Sequence, residues 1–270
     1  MKTQAMRTVN RQGVDYRRPL PIIDFSVHKH SVNLLAQSAG SFLLAGEKYE
    51  IPRLVFVGPQ GGGEPIALGI FAGIHGDEPE GVHAVLQFID ILENSPELAR
   101  GYCLFFYPLC NPTGFEDRTR HSRNGKDLNR EFWKGSAEAE VAILEQEIKA
   151  RRFHGIISLH TDNTSEGFYG FVRGATLTKH LLNPALRAAE AVVPRDRRGW
   201  IDGFQARDGL IKDCYAGVLS SQPGVRPRPF EIILESPQKA PQIQQQQAFI
   251  LALNTILAEY RKLIAYAANL

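Results

Sequence analysis

The sequence predicts an α/β protein built on a mixed, largely parallel central sheet. Three observations carry that prediction. Short apolar runs alternate with segments of helical periodicity along most of the chain. Several of those runs, such as GIISLH (155–160), are apolar throughout, as strands covered on both faces are. The polar residues best suited to chemistry fall at the C-terminal ends of those runs, where open α/β sheets collect their ligands.

The elements follow in order. Residues 1–20 are polar and basic and read as an arm, with a single domain over 21–270. PRLVFVG (52–58) and PIALGIFAG (65–73) read as two strands with a turn at Gly61, Gly62 and Gly63. In 79–95 the apolar residues Val82, Val85, Leu86, Ile89 and Leu92 recur at helical spacing, and Pro79 suits the first turn. GYCLFFYPLCNPTG (101–114) reads as a buried strand entering a turn. The segment 135–152 reads as a helix with glutamates early and Lys149, Arg151 and Arg152 late, as the helix dipole favours. The segment 176–193 is helical with a break at Pro184, and 194–229, rich in Gly, Pro and Arg, reads as loops. FEIILE (230–235) is a last strand, and 240–268 a long helix.

Composition narrows the function. A net charge of +2, from 31 basic and 29 acidic residues, gives no electrostatic footprint for nucleic acid or a membrane surface. Cys103, Cys110 and Cys214 are odd in number and form no C-x-x-C, so a reducing, cytoplasmic compartment is expected. The N-terminal 18 residues lack the apolar core of a secretory signal, and no run approaches the roughly 18 apolar residues of a membrane span.

Four strand ends supply a constellation. His75 and Glu78 follow the 65–73 run, Asn111 follows the 101–110 run, His160 ends GIISLH and Glu235 ends FEIILE. A hydrolytic zinc site commonly uses two histidines and a carboxylate, leaving one position open. His75, Glu78 and His160 are that set. Glu235 is then the natural proton acceptor. The plainer alternative makes His75 and Glu78 ordinary helix-start residues beside a positive dipole end.

GIHGDEPEG (73–81) resembles the H-x-x-E zinc motif of the carboxypeptidase A-type metallopeptidase superfamily, which includes the succinylglutamate desuccinylase and aspartoacylase branch. NPTGFEDRTRHSRNGKDLNREF (111–132) is similar to its second block, SLHTD (158–162) to its third, and ILESP (233–237) to the block with the catalytic glutamate. The blocks stand in the family order. The resemblance implies a three-layer sandwich of the zinc-exopeptidase, phosphorylase/hydrolase-like kind. It implies one zinc ion on His75, Glu78 and His160, with Glu235 as base and then acid. It implies Asn129 and Arg130 on a substrate carboxylate, Arg120 at the oxyanion, and Asp127 behind the first zinc histidine. Arg118 and Arg123 compete for the place of Arg120. Tyr169 and Tyr215 are alternatives for the family's mobile tyrosine.

The implied activity is that of a metallocarboxypeptidase acting on a small peptide. A deacylase of N-acyl amino acids is the alternative. That branch is expected to add a domain after its catalytic glutamate, whereas 236–270 reads as one helix, which favours the peptidase. Among other polar residues, His28 and His30 read as surface residues, and His83, His121, His154 and His180 as structural. Arg195, Arg197 and Arg198 read as a solvated loop, with attraction of an anionic substrate as the minority reading.

Overall fold

The computed structural model describes residues 32–267. The expected arm (1–20), His28 and His30 lie outside the described residues. Strands β1 (Leu34–Leu44) and β2 (Glu47–Val57) form an antiparallel hairpin. Its two turn residues, Ala45 and Gly46, both take positive φ, which matches the twist of the flanking strands. Next come β3 (Ile66–Phe71), α1 (Pro79–Asn94), β4 (Tyr102–Tyr107), α2 (Pro112–Asp117), α3 (Ala139–Arg151) and β5 (Gly155–Asp162). After β6 (Tyr169–Val172), α4 (Ala175–Leu177) passes through a π-helical turn (Thr178–Leu182) into α5 (Asn183–Ala189). Short strands β7 (Trp200–Ile201), β8 (Phe204–Arg207) and β9 (Leu210–Ile211) precede β10 (Phe230–Pro237) and α6 (Gln242–Ala267).

These strands form one ten-stranded sheet in the order β1-β2-β4-β3-β5-β10-β6-β9-β8-β7. The sheet is mixed, as expected, but it is not largely parallel, since five of its nine strand pairings are antiparallel, and its parallel part is mainly central. β4, β3, β5 and β10 run parallel. Both flanks are antiparallel except where β6 meets β9. Parallel neighbours need a long crossover, which α1 and α3 supply, whereas tight turns can join only antiparallel strands. The two strands read on either side of the glycine cluster are β2 and β3. They do not pair, because β4 lies between them.

Side-chain alternation splits the core into layers. Ile70 and Phe106 join α1, α5 and α6 on one face, and their neighbours Phe71 and Tyr107 join α3 on the other. Phe71 and Tyr107 stack at 4.5 Å between ring centroids. The helical break expected at Pro184 appears just before it, as the π-turn. Pro184 itself sits in the first turn of α5, where its missing N–H costs nothing. The segment 194–229 holds β7, β8 and β9, which are too short to show periodicity in the sequence.

Beneath the sheet, the buried Glu147 carboxylate of α3 receives Arg53 Nη1 at 2.8 Å on each oxygen, the Tyr107 hydroxyl at 2.7 Å and Arg151 Nε at 3.2 Å. Burial raises this carboxyl, but hydrogen bonds from Tyr107, Arg53 and Arg151 hold it below its ordinary value. Replacing Glu147 with Ala strands Arg53 in the core and is expected to cost about 3–5 kcal/mol in urea unfolding. The contribution of a depressed carboxyl is complete above its unfolded pKa and fades as pH falls through the folded value. The Glu147→Gln variant should therefore lose part of the wild-type's stability drop below about pH 5.

Candidate metal centre and active site

The loop between β3 and α1 can reach the sheet's C-terminal edge because it is built around glycines. A Cβ on Gly76 would collide with the backbone of Gly114 in α2, so H-G-D-E and N-P-T-G pack backbone to backbone. Asn111 secures that contact. Its Oδ1 accepts the Gly114 N–H at 2.8 Å and its Nδ2 donates to the Ile74 carbonyl at 3.2 Å. It is a structural cap.

Glu78 occupies the N-cap position of α1 but makes no side-chain cap to the helix. Its carboxylate turns to two imidazoles. Oε1 lies 2.7 Å from His75 Nδ1, and Oε2 lies 3.1 Å from His160 Nδ1 and accepts the Thr161 N–H at 3.1 Å. The two Nδ1 atoms are 3.3 Å apart. All three residues are buried, and their ligand atoms lie within 4.8 Å of one another. The plain helix-start reading does not account for this convergence. A tetrahedral zinc with nitrogens at about 2.0–2.1 Å sets two such nitrogens about 3.3 Å apart. Two imidazoles and a carboxylate of this spacing therefore fit a divalent ion.

Asp127 stands behind. Its Oδ1 faces His75 Nε2 at 3.1 Å, fixing which ring nitrogen turns inward. Its Oδ2 accepts Arg120 Nη2 at 3.0 Å and Nε at 3.2 Å. That fork leaves Arg120 Nη1 over the centre, 3.3 Å from His75 Nδ1 and 3.6 Å from Glu78 Oε1. Of the competing arginines, Arg123 is held by Glu116 and Asp117 at 2.9 and 2.7 Å, and Arg118 ends α2 in a left-handed conformation. Only Arg120 lines the cleft.

Asn129 and Arg130 lie in a single 3-10 turn, Leu128–Arg130, capped by Asp127. Asn129 Oδ1 accepts the Leu219 N–H at 2.9 Å, and its Nδ2 lies 3.5 Å from His160 Nε2. The Arg130 guanidinium rests 4.0 Å from the Tyr215 ring centroid. Glu235 faces the same cleft from β10, in register with His160 of β5 and Tyr169 of β6.

Residues 66–195 match the family of the succinylglutamate desuccinylase/aspartoacylase catalytic domain. The fold is similar to that of a candidate metallopeptidase from Shewanella amazonensis, at 24% identity over 90% of this chain and 91% of that one, with a TM-score of 0.73. It is similar to a metallo-carboxypeptidase from Burkholderia cenocepacia, at 17% identity over 88% and 68%, with a TM-score of 0.67. A chain of the complex of bovine thrombin-activatable fibrinolysis inhibitor with tick carboxypeptidase inhibitor is 17% identical over 90% and 97%, with a TM-score of 0.65. The family match spans 130 of the chain's 270 residues, and the solved structures share its fold. No curated protein matches it.

The cleft contains residues that the sequence pattern did not single out. Asp202, from the β7–β8 turn, accepts the Tyr215 hydroxyl at 2.6 Å on its carbonyl and 3.2 Å on Oδ1. Asp162, the last letter of SLHTD, accepts the Tyr169 hydroxyl at 3.0 Å. Asp202 lies in the segment without periodicity, and no local motif marks it. Of the two tyrosines, Tyr169 is buried in the sheet, whereas Tyr215 stands on a loop against Arg130. Arg195, Arg197 and Arg198 are tied to carboxylates, with Asp208 serving the first two at 2.7 and 2.9 Å and Asp196 the third at 2.6 Å. They brace this loop region and do not line the cleft.

The buried charges of the centre shift one another's protonation. Burial pulls the His75 imidazole down, but Glu78 and Asp127 overcome it and raise it to about 9. Burial lowers His160. Burial lifts Glu235, and Glu78, Asp202 and Asp162 push it further, well above the carboxylate range against the pull of Arg120. Metal uptake at neutral pH must therefore displace a proton from His75. Apparent metal affinity should rise with pH up to about 9 and then level off, with proton release visible in titrations followed by an indicator dye. The His160→Ala variant should not retain metal in elemental analysis. The Asp127→Asn variant should weaken binding by about 10–100-fold.

Proposed function

We propose that the protein is a zinc-dependent carboxypeptidase that cleaves the amide bond of a C-terminal amino acid. The observation that carries this reading is the convergence of His75, Glu78 and His160 beside Arg120, Arg130 and Glu235 in one cleft. Zinc held there would supply a Lewis acid for the scissile carbonyl and an acidified water.

The chain's own residues do the rest. Arg130, aided by Asn129, holds the free α-carboxylate of the leaving residue, a task suited to a planar fork of N–H donors. This places the scissile carbonyl beside Arg120, whose Nη1 donates to the developing oxyanion. Glu235 accepts the proton of the attacking water and returns it to the leaving amine. Burial, together with Glu78, Asp202 and Asp162 nearby, raises its affinity for that proton. Asp127 keeps His75 in its tautomer while anchoring Arg120, so it couples the metal centre to the oxyanion site.

A second reading, deacylation of N-acyl amino acids, is supported by the family match over 66–195. It uses the same clamp and differs in what occupies the acyl side. The deciding experiment follows products by mass spectrometry when the zinc-loaded protein meets peptides and N-acyl amino acids. Stepwise loss of C-terminal residues is the expected result, and release of an acid from N-acyl amino acids with peptides untouched supports the second reading. The Glu235→Gln variant should keep its zinc while kcat falls by about 10²–10⁴-fold. Unchanged turnover in that variant would remove Glu235 from the mechanism. The Arg130→Ala variant should mainly raise KM.

A further inference from the structure

At the N-terminal edge of the sheet lies a recess of about 450 Å³, walled by the end of α3, the start of β5, the 221–229 loop and Tyr260 of α6. It faces away from the metal centre. β5 runs from Ile156 in the recess to His160 in the centre, a rise of roughly 13 Å at about 3.3 Å per residue. The recess and the catalytic cleft share no wall residue. Arg226 and Arg228 divide the recess from a larger cavity of about 580 Å³, whose walls include Tyr215 and Gly217 beside Arg130. The volume of the recess falls within the about 300–1,000 Å³ typical of small-molecule sites.

Lys149, Arg152, His154, Arg226 and Arg228 line this recess, and no acidic residue does, in a chain whose net charge is only +2. The end of α3 accounts for Lys149 and Arg152, since the carbonyl end of a helix favours cations. It does not account for Arg226 and Arg228, which arrive on the loop before β10. The carboxylates nearest in sequence are already engaged. Glu147 serves Arg53, Tyr107 and Arg151, and Glu145 accepts the Trp133 N–H. Glu231 holds Arg228 at 2.8 Å, and its other oxygen is taken by the Ser221 N–H and hydroxyl at 2.8 and 2.6 Å. Among the described residues, no carboxylate lies within 4.0 Å of the Lys149, Arg152 or Arg226 charges. Lys149 Nζ stands 5.4 Å from the Trp133 ring centroid, and Arg226 Nη1 donates only to the Val225 carbonyl, at 3.0 Å. His154 Nδ1 accepts the Ala67 N–H at 3.0 Å, which leaves Nε2 as a donor. The loop that presents Arg226 is anchored where it begins, by Trp133 Nε1 on the Ser220 carbonyl at 3.0 Å and by Ser221 on Glu231. Beneath the cations, Ile148, Phe153, Ile156 and Tyr260 are buried and give the recess an apolar floor. Like charges gathered around one hollow repel one another, and an anion seated among them reverses the sign of that interaction.

From this arrangement we propose that the recess is a separate binding site for a small organic molecule bearing two or more closely spaced negative charges, phosphate or carboxylate. Arg152 and Arg226 offer planar forks of N–H donors to the anionic groups, and Lys149 adds a point charge. The body of the ligand rests on Phe153 and Tyr260. The site stands independently of which bond the catalytic cleft breaks.

Calorimetry on the zinc-loaded protein tests it, at about 0.15 M salt so that long-range attraction is screened, with zinc content checked before and after. The probes are ADP, benzene-1,3,5-tricarboxylate and, as the uncharged comparator, adenosine. At least one anion should bind at a single site, and adenosine should bind far more weakly than ADP. Tighter binding of ADP points to a phosphate ester and tighter binding of the tricarboxylate to a polycarboxylate, and either supports the site. The Arg152→Ser and Arg226→Ser variants, both at exposed positions, should keep the wild-type urea midpoint and each weaken the anion by about tenfold. Lys149→Gln should weaken it less. No binding of either anion, equal binding of ADP and adenosine, or an affinity unmoved in both arginine variants overturns the proposal. The Arg130→Ala variant should bind the anion as the wild type does. Loss of binding in that variant alone would place the anion in the catalytic cleft and overturn the proposal as well. Binding is read without turnover, so failure of the hydrolytic reading would leave this result intact.

Discussion

A buried carboxylate between two buried imidazoles is the constraint around which the site is arranged. Glu78 faces His75 at 2.7 Å and His160 at 3.1 Å with almost no solvent to screen it. Burying such charge is costly unless it is paired and hydrogen-bonded. The chain meets that cost with the Thr161 N–H, with Asp127 behind His75, and with Arg120 above. The donor spacing also matches the coordination of a divalent cation. The same grouping forces the surrounding backbone to be close-packed, which is why glycines meet at Gly76 and Gly114.

The sheet explains how three separate segments reach one point. β3, β5 and β10 are parallel neighbours, so their C-terminal ends lie together. The register that pairs His160 with Glu235 places a candidate metal ligand beside the proposed base without any loop to position it. Sites on strand ends are held by the ladder's hydrogen bonds, and that rigidity suits a reaction that depends on fixed geometry. Asp127, Asn129 and Arg130 come instead from a turn. It is locked by the Asp127 cap and by the contact of Asn129 with Leu219.

The flank beyond β10, from β6 to β7, contributes the other wall. It carries Tyr169, Asp202 and the loop of Tyr215, braced from behind by Arg195, Arg197 and Arg198 on Asp196, Glu190 and Asp208. Those arginines look in the sequence like a free basic loop. Their partners lie up to 13 residues away across short strands, a separation that local pattern does not reveal.

The sequence by itself determined the α/β class, the main helices, the order of the strands that carry chemistry, and the candidates His75, Glu78, His160, Glu235, Arg120, Asn129, Arg130 and Asp127. These were legible because buried strands and helices write their period into the chain, and because the short H-x-x-E and D-x-N-R spacings are themselves local. Tertiary structure decided what depends on distant partners. It separated β2 from β3 by inserting β4, gathered most of the parallel pairing at the centre, and made Asn111 a cap. It set Arg120 against His75 and Glu78, while Arg123 is held by Glu116 and Asp117. It also brought Asp202 and Tyr215 to Arg130 and opened a cavity beside it, from a segment with no period to read. Local spacing records what a residue is for its neighbours in sequence. Only packing assigns its neighbours in space.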